Sequence, residues 1–293
     1  MSKIFITGVT GHFGKATLNF LLNKGISASD ITVLVREEAK AEEFLKQGLA
    51  VKQADYSNYE ALVKAFKGSD TLLLVSGTDI PNRSQQQENV VKAAKEAGVK
   101  RIVYTSFDRK NETSTSPIAM IAESHLHTEK AIKASGLQYT ILRNNLYMDM
   151  LPMFIGDKAV ETGVIYQPSG DGKAAYLLRE DMAEIAANVL INTGHENKEY
   201  VVGGATAYSY AEIAELISEL TGKTMQHVSP SKEEYIKTLT EANVPTEFVH
   251  VFAGFADAKK QGELDTVGTE TETLLGRKAT SMKAFLTGVY SAN

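Results

Sequence analysis

The clearest chemical signal in the sequence is a set of three evenly spaced glycines near its start, Gly8, Gly11 and Gly14. They follow an apolar run, Lys3–Thr7, that predicts a strand, and they open a segment, His12–Lys24, with the apolar spacing of a helix. In such a turn the first glycine permits a tight bend, the second lets backbone N–H groups approach a phosphate, and the third lets the helix pack on the strand. The helix N-terminus adds N–H donors and a positive dipole. The pattern therefore predicts a site for the pyrophosphate of a dinucleotide.

A charged residue follows the second predicted strand, Ile31–Val35, where a ribose would be recognised. An acidic residue there would bond the 2′-hydroxyl of NAD, whereas the planar guanidinium of Arg36 suits a 2′-phosphate. Glu37 and Glu38 follow directly and could reach the ribose instead. The sequence favours NADP(H), and NAD(H) stays open as a second cofactor.

Apolar β-branched runs and helical segments alternate through the first 145 residues, which predicts an α/β fold: a Rossmann-type doubly wound parallel sheet with helices on both faces. A capping-box spacing at 57–60 opens a helix that ends at Phe66. The other predicted strands are Ala50–Gln53, Asp70–Val75, Arg101–Thr105 and Tyr139–Leu142, and the other predicted helices are Glu38–Lys46, Arg83–Ala97 and Pro117–Ala134.

The alternation changes after residue 150, and the remainder predicts a smaller, mostly helical C-terminal lobe. Leu151–Glu161 and Arg179–Asn192 have helical patterns, whereas Glu199–Val202 has the pattern of a strand. We therefore expect an NAD(P)-binding domain over 1–150, completed by 176–205, and a substrate-binding lobe formed by 151–175 and 206–293.

Composition excludes several classes of protein. The 293 residues include no cysteine, so disulfides, thiolate metal sites and cysteine nucleophiles are excluded. A net charge of −5 disfavours nucleic acid as a partner. The histidines lack the spacing of a metal site, and no G-x-S-x-G motif of an α/β-hydrolase is present. No apolar run is long enough to span a bilayer and the first residues do not form a signal peptide, so we expect a cytoplasmic protein without a membrane partner.

Further stretches narrow the interpretation, and with the glycine turn they carry a family resemblance. They are Leu34-Val35-Arg36, Gln53-Ala54-Asp55-Tyr56, Tyr104-Thr105-Ser106, Leu142-Arg143-Asn144, Tyr147, Gly170-Asp171-Gly172-Lys173, the run 195–200 and the run 220–223. Together they resemble the NmrA-like group of atypical short-chain dehydrogenases/reductases, and within it the bacterial NAD(P)H:quinone oxidoreductases and triphenylmethane-dye reductases. The resemblance covers nearly the whole chain. It implies a Rossmann domain that binds NADP(H), with a small lobe closing over a cleft.

The resemblance also implies roles for residues at the carboxyl ends of strands. The pyrophosphate would be held by Gly8, Val9, Thr10, Gly11, His12 and Phe13, with Gly14 closing the turn. Arg36 would hold the 2′-phosphate, and Asp55 and Tyr56 would flank the adenine. The channel for the ribose and pyrophosphate would be lined by Ser76, Gly77 and Thr78, and Thr105 and Asn144 complete the expected cofactor residues, Asn144 near the nicotinamide.

The usual proton donor of short-chain dehydrogenases is absent. Their Tyr-x-x-x-Lys pair places both side chains on one helix face, but here Leu126 stands at the tyrosine position while Lys130 is retained. This disfavours an alcohol dehydrogenase or a nucleotide-sugar epimerase. Two roles stay open for Lys130, a bond to the nicotinamide ribose or a place as a surface lysine on an amphipathic helix. With Tyr147 it is a catalytic candidate. His125 and His127 point to different faces, and a packed or solvated role is favoured over proton relay for both.

The acceptor pocket is expected to have aromatic walls, with Phe107 and Tyr147 as substrate-binding residues because each follows a strand. A core role is favoured for Met150, Met153 and Phe154, and the apolar segment 249–255 either caps the pocket or packs between the lobes.

Two functions remain open at this stage. The first is an NADPH-dependent reductase of a quinone or a similar planar electrophile, acting as a monomer or homodimer on a small molecule. A quinone or a cationic dye can accept hydride without the missing tyrosine, because the cofactor supplies the chemistry. The second is a non-catalytic NAD(P)-sensing regulatory protein of NmrA type.

Overall fold

Two parallel sheets organise the chain, and the computed structural model describes residues 2–156 and 158–291. The strands of the first sheet are β1 (Ile4–Ile6), β2 (Ile31–Val35), β3 (Ala50–Gln53), β4 (Thr71–Leu74), β5 (Arg101–Phe107), β6 (Gln138–Asn144) and β8 (Lys198–Val202), and those of the second are β7 (Val164–Tyr166) and β9 (Gln226–Val228). The order in the first sheet is β3-β2-β1-β4-β5-β6-β8, and every neighbouring pair is parallel. The predicted doubly wound sheet is therefore confirmed.

Helices cover both faces of the seven-stranded sheet. The α-helices of the described residues are α1 (His12–Asn23), α2 (Glu42–Leu45), α3 (Tyr59–Phe66), α4 (Arg83–Glu96), α5 (Ala119–Ser135), α6 (Leu151–Ile155), α7 (Ala159–Thr162), α8 (Arg179–Ile191), α9 (Tyr210–Thr221), α10 (Lys232–Glu241), α11 (Thr246–Lys260), α12 (Thr271–Leu275) and α13 (Met282–Tyr290). Of these, α1 and α8 cover one face of the seven-stranded sheet, and α3, α4 and α5 cover the other. Among the described residues, none of these helices is both long and apolar enough to cross a membrane.

Strand alternation divides the apolar side chains between two cores. In β1, Ile4 and Ile6 join the core under α1 and α8, whereas Phe5 joins the core under α3, α4 and α5. Both faces of the strand are thus buried, which explains its continuous apolar run. A third core lies among α6, α9, α13 and β7, and it includes Ile165, Ile213 and Leu286. The division of the chain into two domains at the expected bounds stays a prediction.

Local differences from the predicted elements have identifiable causes. The capping residue of α3 is Asn58, whose side chain accepts from the Ala61 N–H group, and not Ser57. The single helix predicted over 151–161 is two short helices, because α6 ends at Gly156 with a φ of +89°. The sequence does not predict the strands β7 and β9, because the helical pattern that surrounds these short segments dominates it.

Candidate active site

The predicted site residues converge on the edge of the sheet where its parallel strands end. Strand order reverses at β1, which lies between β2 and β4, so the loops after these strands diverge and leave a crevice. Ligands of open α/β sheets bind in such a crevice. The glycine turn follows β1, Arg36 follows β2, Asp55 follows β3, and the segment 76–78 follows β4.

The glycine turn is shaped partly by packing and partly by open space. Gly8 has a φ of +62°, and a Cβ there would lie 2.9 Å from the Cβ of Val75. A Cβ at Gly14 would lie 2.4 Å from the Gly8 carbonyl oxygen. At Gly11 the nearest atom to an added Cβ is that same oxygen at 3.4 Å, and no side chain caps the start of α1. Among residues 2–156 and 158–291, no tightly packed side chain fills the space next to Gly11 or caps the N-terminus of α1, so the backbone N–H groups there are accessible to a pyrophosphate.

Hydrogen bonds from three strands fix the backbone of the loop after β4. The Val75 N–H donates to Thr7 Oγ1 at 3.0 Å, and the Ser76 N–H donates to Thr105 Oγ1 at 2.9 Å. The Tyr56 hydroxyl donates to the Val75 carbonyl at 3.1 Å. Two predicted cofactor residues, Tyr56 and Thr105, therefore position the loop that carries Ser76.

The end of the crevice at β2 and β3 is exposed and carries a cation. Arg36 is exposed, and no carboxylate in the described part of the chain pairs with its guanidinium. Its backbone is held by Gln53, whose Nε2 donates to the Arg36 carbonyl at 3.1 Å. Asp55 is also exposed and accepts from the Ser57 N–H at 2.8 Å. The guanidinium is free to bind a phosphate here.

A buried amide at the end of β6 has no partner with hydrogen-bond geometry in the described part of the chain, although it interacts with the Tyr147 hydroxyl. Asn144 is 1% exposed, and neither atom of its amide group has a partner with hydrogen-bond geometry among the described residues. It lies in register with Phe107 at the end of β5. Buried amides are rarely left unpaired, so this one fits a polar group of a ligand such as the nicotinamide half of the cofactor. Nearby, the Arg179 guanidinium lies 4.9 Å from the ring centre of Tyr147.

The buried face of α5 differs from the one that the Tyr-x-x-x-Lys alignment implied. Lys130 is exposed and Leu126 is half-buried, whereas His125 and Glu129 are 5% and 2% exposed. The i, i+4 pair that faces the sheet is therefore His125 and Glu129. His127 is exposed and bonds Glu88 at 2.9 Å. A contact of Lys130 with the cofactor stays a prediction.

Aromatic rings form a continuous wall beside Phe107. Its ring lies 6.0 Å from that of Phe255 on α11, and Phe255 in turn lies 6.1 Å from Phe154 on α6. Phe252 extends the wall, 5.3 Å from Phe154. The segment 249–255 therefore packs against Phe154 and Phe107. We call the four residues Phe107, Phe154, Phe252 and Phe255 the aromatic wall. Their rings suit contact with a planar molecule.

A buried charge cluster holds the segment after β5. The Glu129 carboxylate accepts from Arg109 at 2.9 and 3.0 Å, from Arg143 at 3.0 Å and from Ser106 at 2.5 Å. Burial alone would raise the pKa of Glu129, but these hydrogen bonds and charges outweigh it, and the pKa lies below its usual value. The cluster ties α5 to β5 and β6 behind the aromatic wall.

Comparison with known proteins places the chain in a family. The model of the NmrA-like family matches residues 1–286. The chain belongs to the NmrA-like family. Over 290 residues it is 34% identical to quinone oxidoreductase 2 of Escherichia coli, covering 99% of each chain.

Two solved structures of similar proteins extend this assignment of the NmrA-like chain. An NADPH-dependent quinone oxidoreductase from Escherichia coli, complexed with NADPH, is 34% identical with a TM-score of 0.90, covering 98% of this chain and 99% of that one. The Citrobacter sp. triphenylmethane reductase complexed with NADP(H) is 34% identical with a TM-score of 0.88, covering 99% and 100%. The predictions of an oxidoreductase and of NADP(H) as its cofactor are confirmed.

Sequence reasoning missed several site residues of this NmrA-like protein. Arg83, Arg109 and Glu129 sit in patterns typical of exposed helix and loop positions, yet they are 6%, 4% and 2% exposed. The Arg109–Glu129 pair and the contacts of Arg83 with Ser124 and Ile121 join residues at least 20 positions apart, so no local signal reveals them. The i, i+4 spacing of His125 and Glu129 could have identified the buried face of α5, but the Tyr-x-x-x-Lys alignment points instead to Leu126 and Lys130, one position further along.

Proposed function

We propose that this NmrA-like protein transfers hydride from NADPH to a quinone or a similar planar electrophile. The observation that carries the proposal is the position of Phe107. Phe107 pairs in register with Asn144, whose amide lacks a partner with hydrogen-bond geometry within the described residues, and its ring contacts Phe255 of the aromatic wall. A planar acceptor against Phe107 would lie beside the nicotinamide half of the cofactor. Hydride transfer requires such close positioning of donor and acceptor.

The residues of the crevice fit NADPH, which supplies the hydride when bound. Gly8–Gly14 and the N-terminus of α1 would hold the pyrophosphate, and Arg36 the 2′-phosphate. Asp55 and Tyr56 would flank the adenine, while 76–78 and Thr105 would line the channel. Asn144 would bond the nicotinamide half. Tyr147, beside Arg179, would lie at the boundary between cofactor and acceptor.

The acceptor classes follow from the absence of a tyrosine donor at position 126. Leu126 has no acidic proton to give, so a carbonyl that must be protonated as hydride arrives is a poor substrate. A quinone forms a stabilised hydroquinone anion that takes its proton from water later. A triphenylmethane cation accepts hydride at carbon and needs no proton.

The test is consumption of NADPH with menadione, compared with consumption of NADH. Arg36→Ala is expected to lower the preference for NADPH by about 10- to 100-fold, because charge-assisted hydrogen bonds to the 2′-phosphate are lost. Lys40→Ala is the matched control, since Lys40 is also an exposed cation and follows β2 in the sequence, as Arg36 does. That variant should keep the wild-type preference.

Each outcome assigns a function. Turnover that prefers NADPH, with the preference lost only in the Arg36 variant, supports the reductase. Binding of NADP(H) without turnover of menadione or of a triphenylmethane dye overturns the proposal and supports the sensing role. The domain division, a cytoplasmic location and a monomeric or homodimeric state remain our predictions.

A further inference from the structure

His125 lies beside the aromatic wall. It lies on the buried face of α5, 5% exposed, and its ring centre is 6.1 Å from that of Phe107. Its Nδ1 lies 2.8 Å from the Tyr104 hydroxyl in β5. Within the described part of the chain, no residue bonds Nε2, which lies on the edge of the ring directed away from Tyr104.

A chain of buried hydrogen bonds fixes which nitrogen of His125 carries the proton. Gln87 on α4 donates through Nε2 to Thr128 Oγ1 at 3.0 Å and to the Tyr104 hydroxyl oxygen at 3.4 Å. Because the Tyr104 hydroxyl already receives the bond from Gln87, we infer that it directs its own proton to Nδ1. The imidazole is then the tautomer with its proton on Nε2. Burial raises the pKa of Tyr104 to about 12, so this hydroxyl stays a donor.

Two buried arginines lie near His125, and one of them, Arg109, is paired with Glu129 on the same face of α5. Arg83 at the start of α4 donates to Ser124 Oγ at 2.7 Å and to the Ile121 carbonyl at 3.0 Å, and no carboxylate of the described residues pairs with it. Arg109 follows β5. Burial, together with Arg83 and Arg109, holds the pKa of His125 well below its usual value. The imidazole is thus neutral, with Arg83, unpaired among the described residues, as the nearby cation.

We propose that His125 is a catalytic residue whose Nε2–H donates a hydrogen bond to the acceptor oxygen that becomes negative when hydride arrives. This inference rests on the proposed function. Two electrons and one hydrogen pass from NADPH to the quinone, which yields NADP⁺ and the hydroquinone monoanion. That anion takes its proton from water after release, so His125 keeps its own. Arg83 adds positive potential behind the imidazole.

The decisive comparison is between His125→Leu and His125→Gln, since only glutamine retains an N–H donor at similar reach. His125→Leu is expected to lower kcat for menadione by about 100-fold, the usual effect of removing an oxyanion donor, and His125→Gln by much less. Reduction of a triphenylmethane dye should fall less than about 3-fold in both variants, because no oxyanion forms there. His127→Leu, at the exposed neighbour, is the control for substitution on the same helix.

Binding of 4-nitrophenolate to the NADP⁺ complex provides a readout that needs no turnover. His125→Leu should weaken this binding by about 10-fold and leave binding of neutral nitrobenzene unchanged. Nitrogen NMR of the wild-type imidazole should show the proton on Nε2. The inference would be overturned if kcat for menadione fell equally in both His125 variants, or if the rates with menadione and with the dye fell equally. A proton found on Nδ1 would also overturn it. A wild-type protein that turns over neither acceptor overturns the proposed function instead, and the phenolate measurement still tests His125.

Discussion

Gly14 lies so close to Gly8 that a Cβ at position 14 would be 2.4 Å from the Gly8 carbonyl oxygen. The first turn of α1 therefore packs directly on the bend that leaves β1. Gly11, between them, has no such neighbour and faces the crevice. The three glycines of one motif thus divide between a structural role and a role in binding.

Gly14→Ala and Gly11→Ala should separate these roles. Gly14→Ala is expected to lower the free energy of unfolding by about 2–3 kcal/mol, since backbone must move to admit the methyl group. Gly11→Ala should leave stability unchanged but weaken NADPH binding about 10-fold or more, because its Cβ enters the phosphate site. Urea denaturation and calorimetric titration measure the two quantities. Loss of stability in the Gly11 variant would show that the site is not an open cradle.

The glycine turn and the doubly wound parallel sheet could be predicted because their signals are local. The three glycines recur at a fixed spacing within seven residues, and the buried strands show as continuous apolar runs. The face that α5 buries could not be predicted, since it is decided by Tyr104 and Ser106 on β5. Contacts across more than twenty residues decide which of two adjacent side chains, His125 or Leu126, faces the sheet. The position of Phe255 beside Phe107 depends likewise on α11, far along the chain.

Glu129→Gln should be strongly destabilising, because it leaves Arg109 buried without its full counter-charge. The Arg109 side chain is 0% exposed and Glu129 is 3% exposed in their ion pair. Removing one partner of a buried pair costs about 3–5 kcal/mol. Glu199→Gln is the control, since Glu199 meets the same Arg143 at 3.0 Å but is 32% exposed. The Glu199 variant should lose only about 0.5 kcal/mol of its free energy of unfolding. Equal losses of stability in the two variants would contradict the role given to burial.

Asp108→Asn should stabilise the protein above pH 6. Burial raises the pKa of Asp108 to about 6, against which Arg143 and a hydrogen bond from Asn145 act only in part. Between pH 4 and 6 the folded state binds more protons than the unfolded chain at this site, so its contribution to stability falls as pH rises. Asparagine can still accept from Asn145 at this position and carries no charge.

The free energy of unfolding of the Asp108 variant is expected to exceed that of the wild type by about 1–3 kcal/mol at pH 8, and the difference should vanish near pH 4. Chemical denaturation across this range provides the comparison. Asp265→Asn, at an exposed partner of Lys110, should show no such pH-dependent gain. A constant difference at every pH would mean that packing, not ionisation, is responsible.

Lys259 is a buried amine enclosed by aromatic rings in the C-terminal part of the chain. It is 1% exposed, its Nζ lies 3.4 Å from the ring centre of Tyr210, and it donates to the Tyr176 hydroxyl at 3.0 Å. Burial holds the pKa of Lys259 well below its usual value, and the charge of Glu212 offsets this only in part. Below the usual lysine pKa the unfolded chain therefore binds the proton more readily than the folded state, so stability rises with pH at this site.

Lys259→Met should remove that pH dependence and raise the free energy of unfolding at pH 7 by about 1–3 kcal/mol, because an apolar chain of similar length replaces a group that is costly to bury. Lys260→Met is the matched control, since Lys260 is the exposed neighbour on the same helix and should change neither quantity. The measurement is urea denaturation of the three proteins at pH 6, 7.5 and 9. A less stable Lys259 variant would show that the ammonium is retained and that its contact with the Tyr210 ring stabilises the fold.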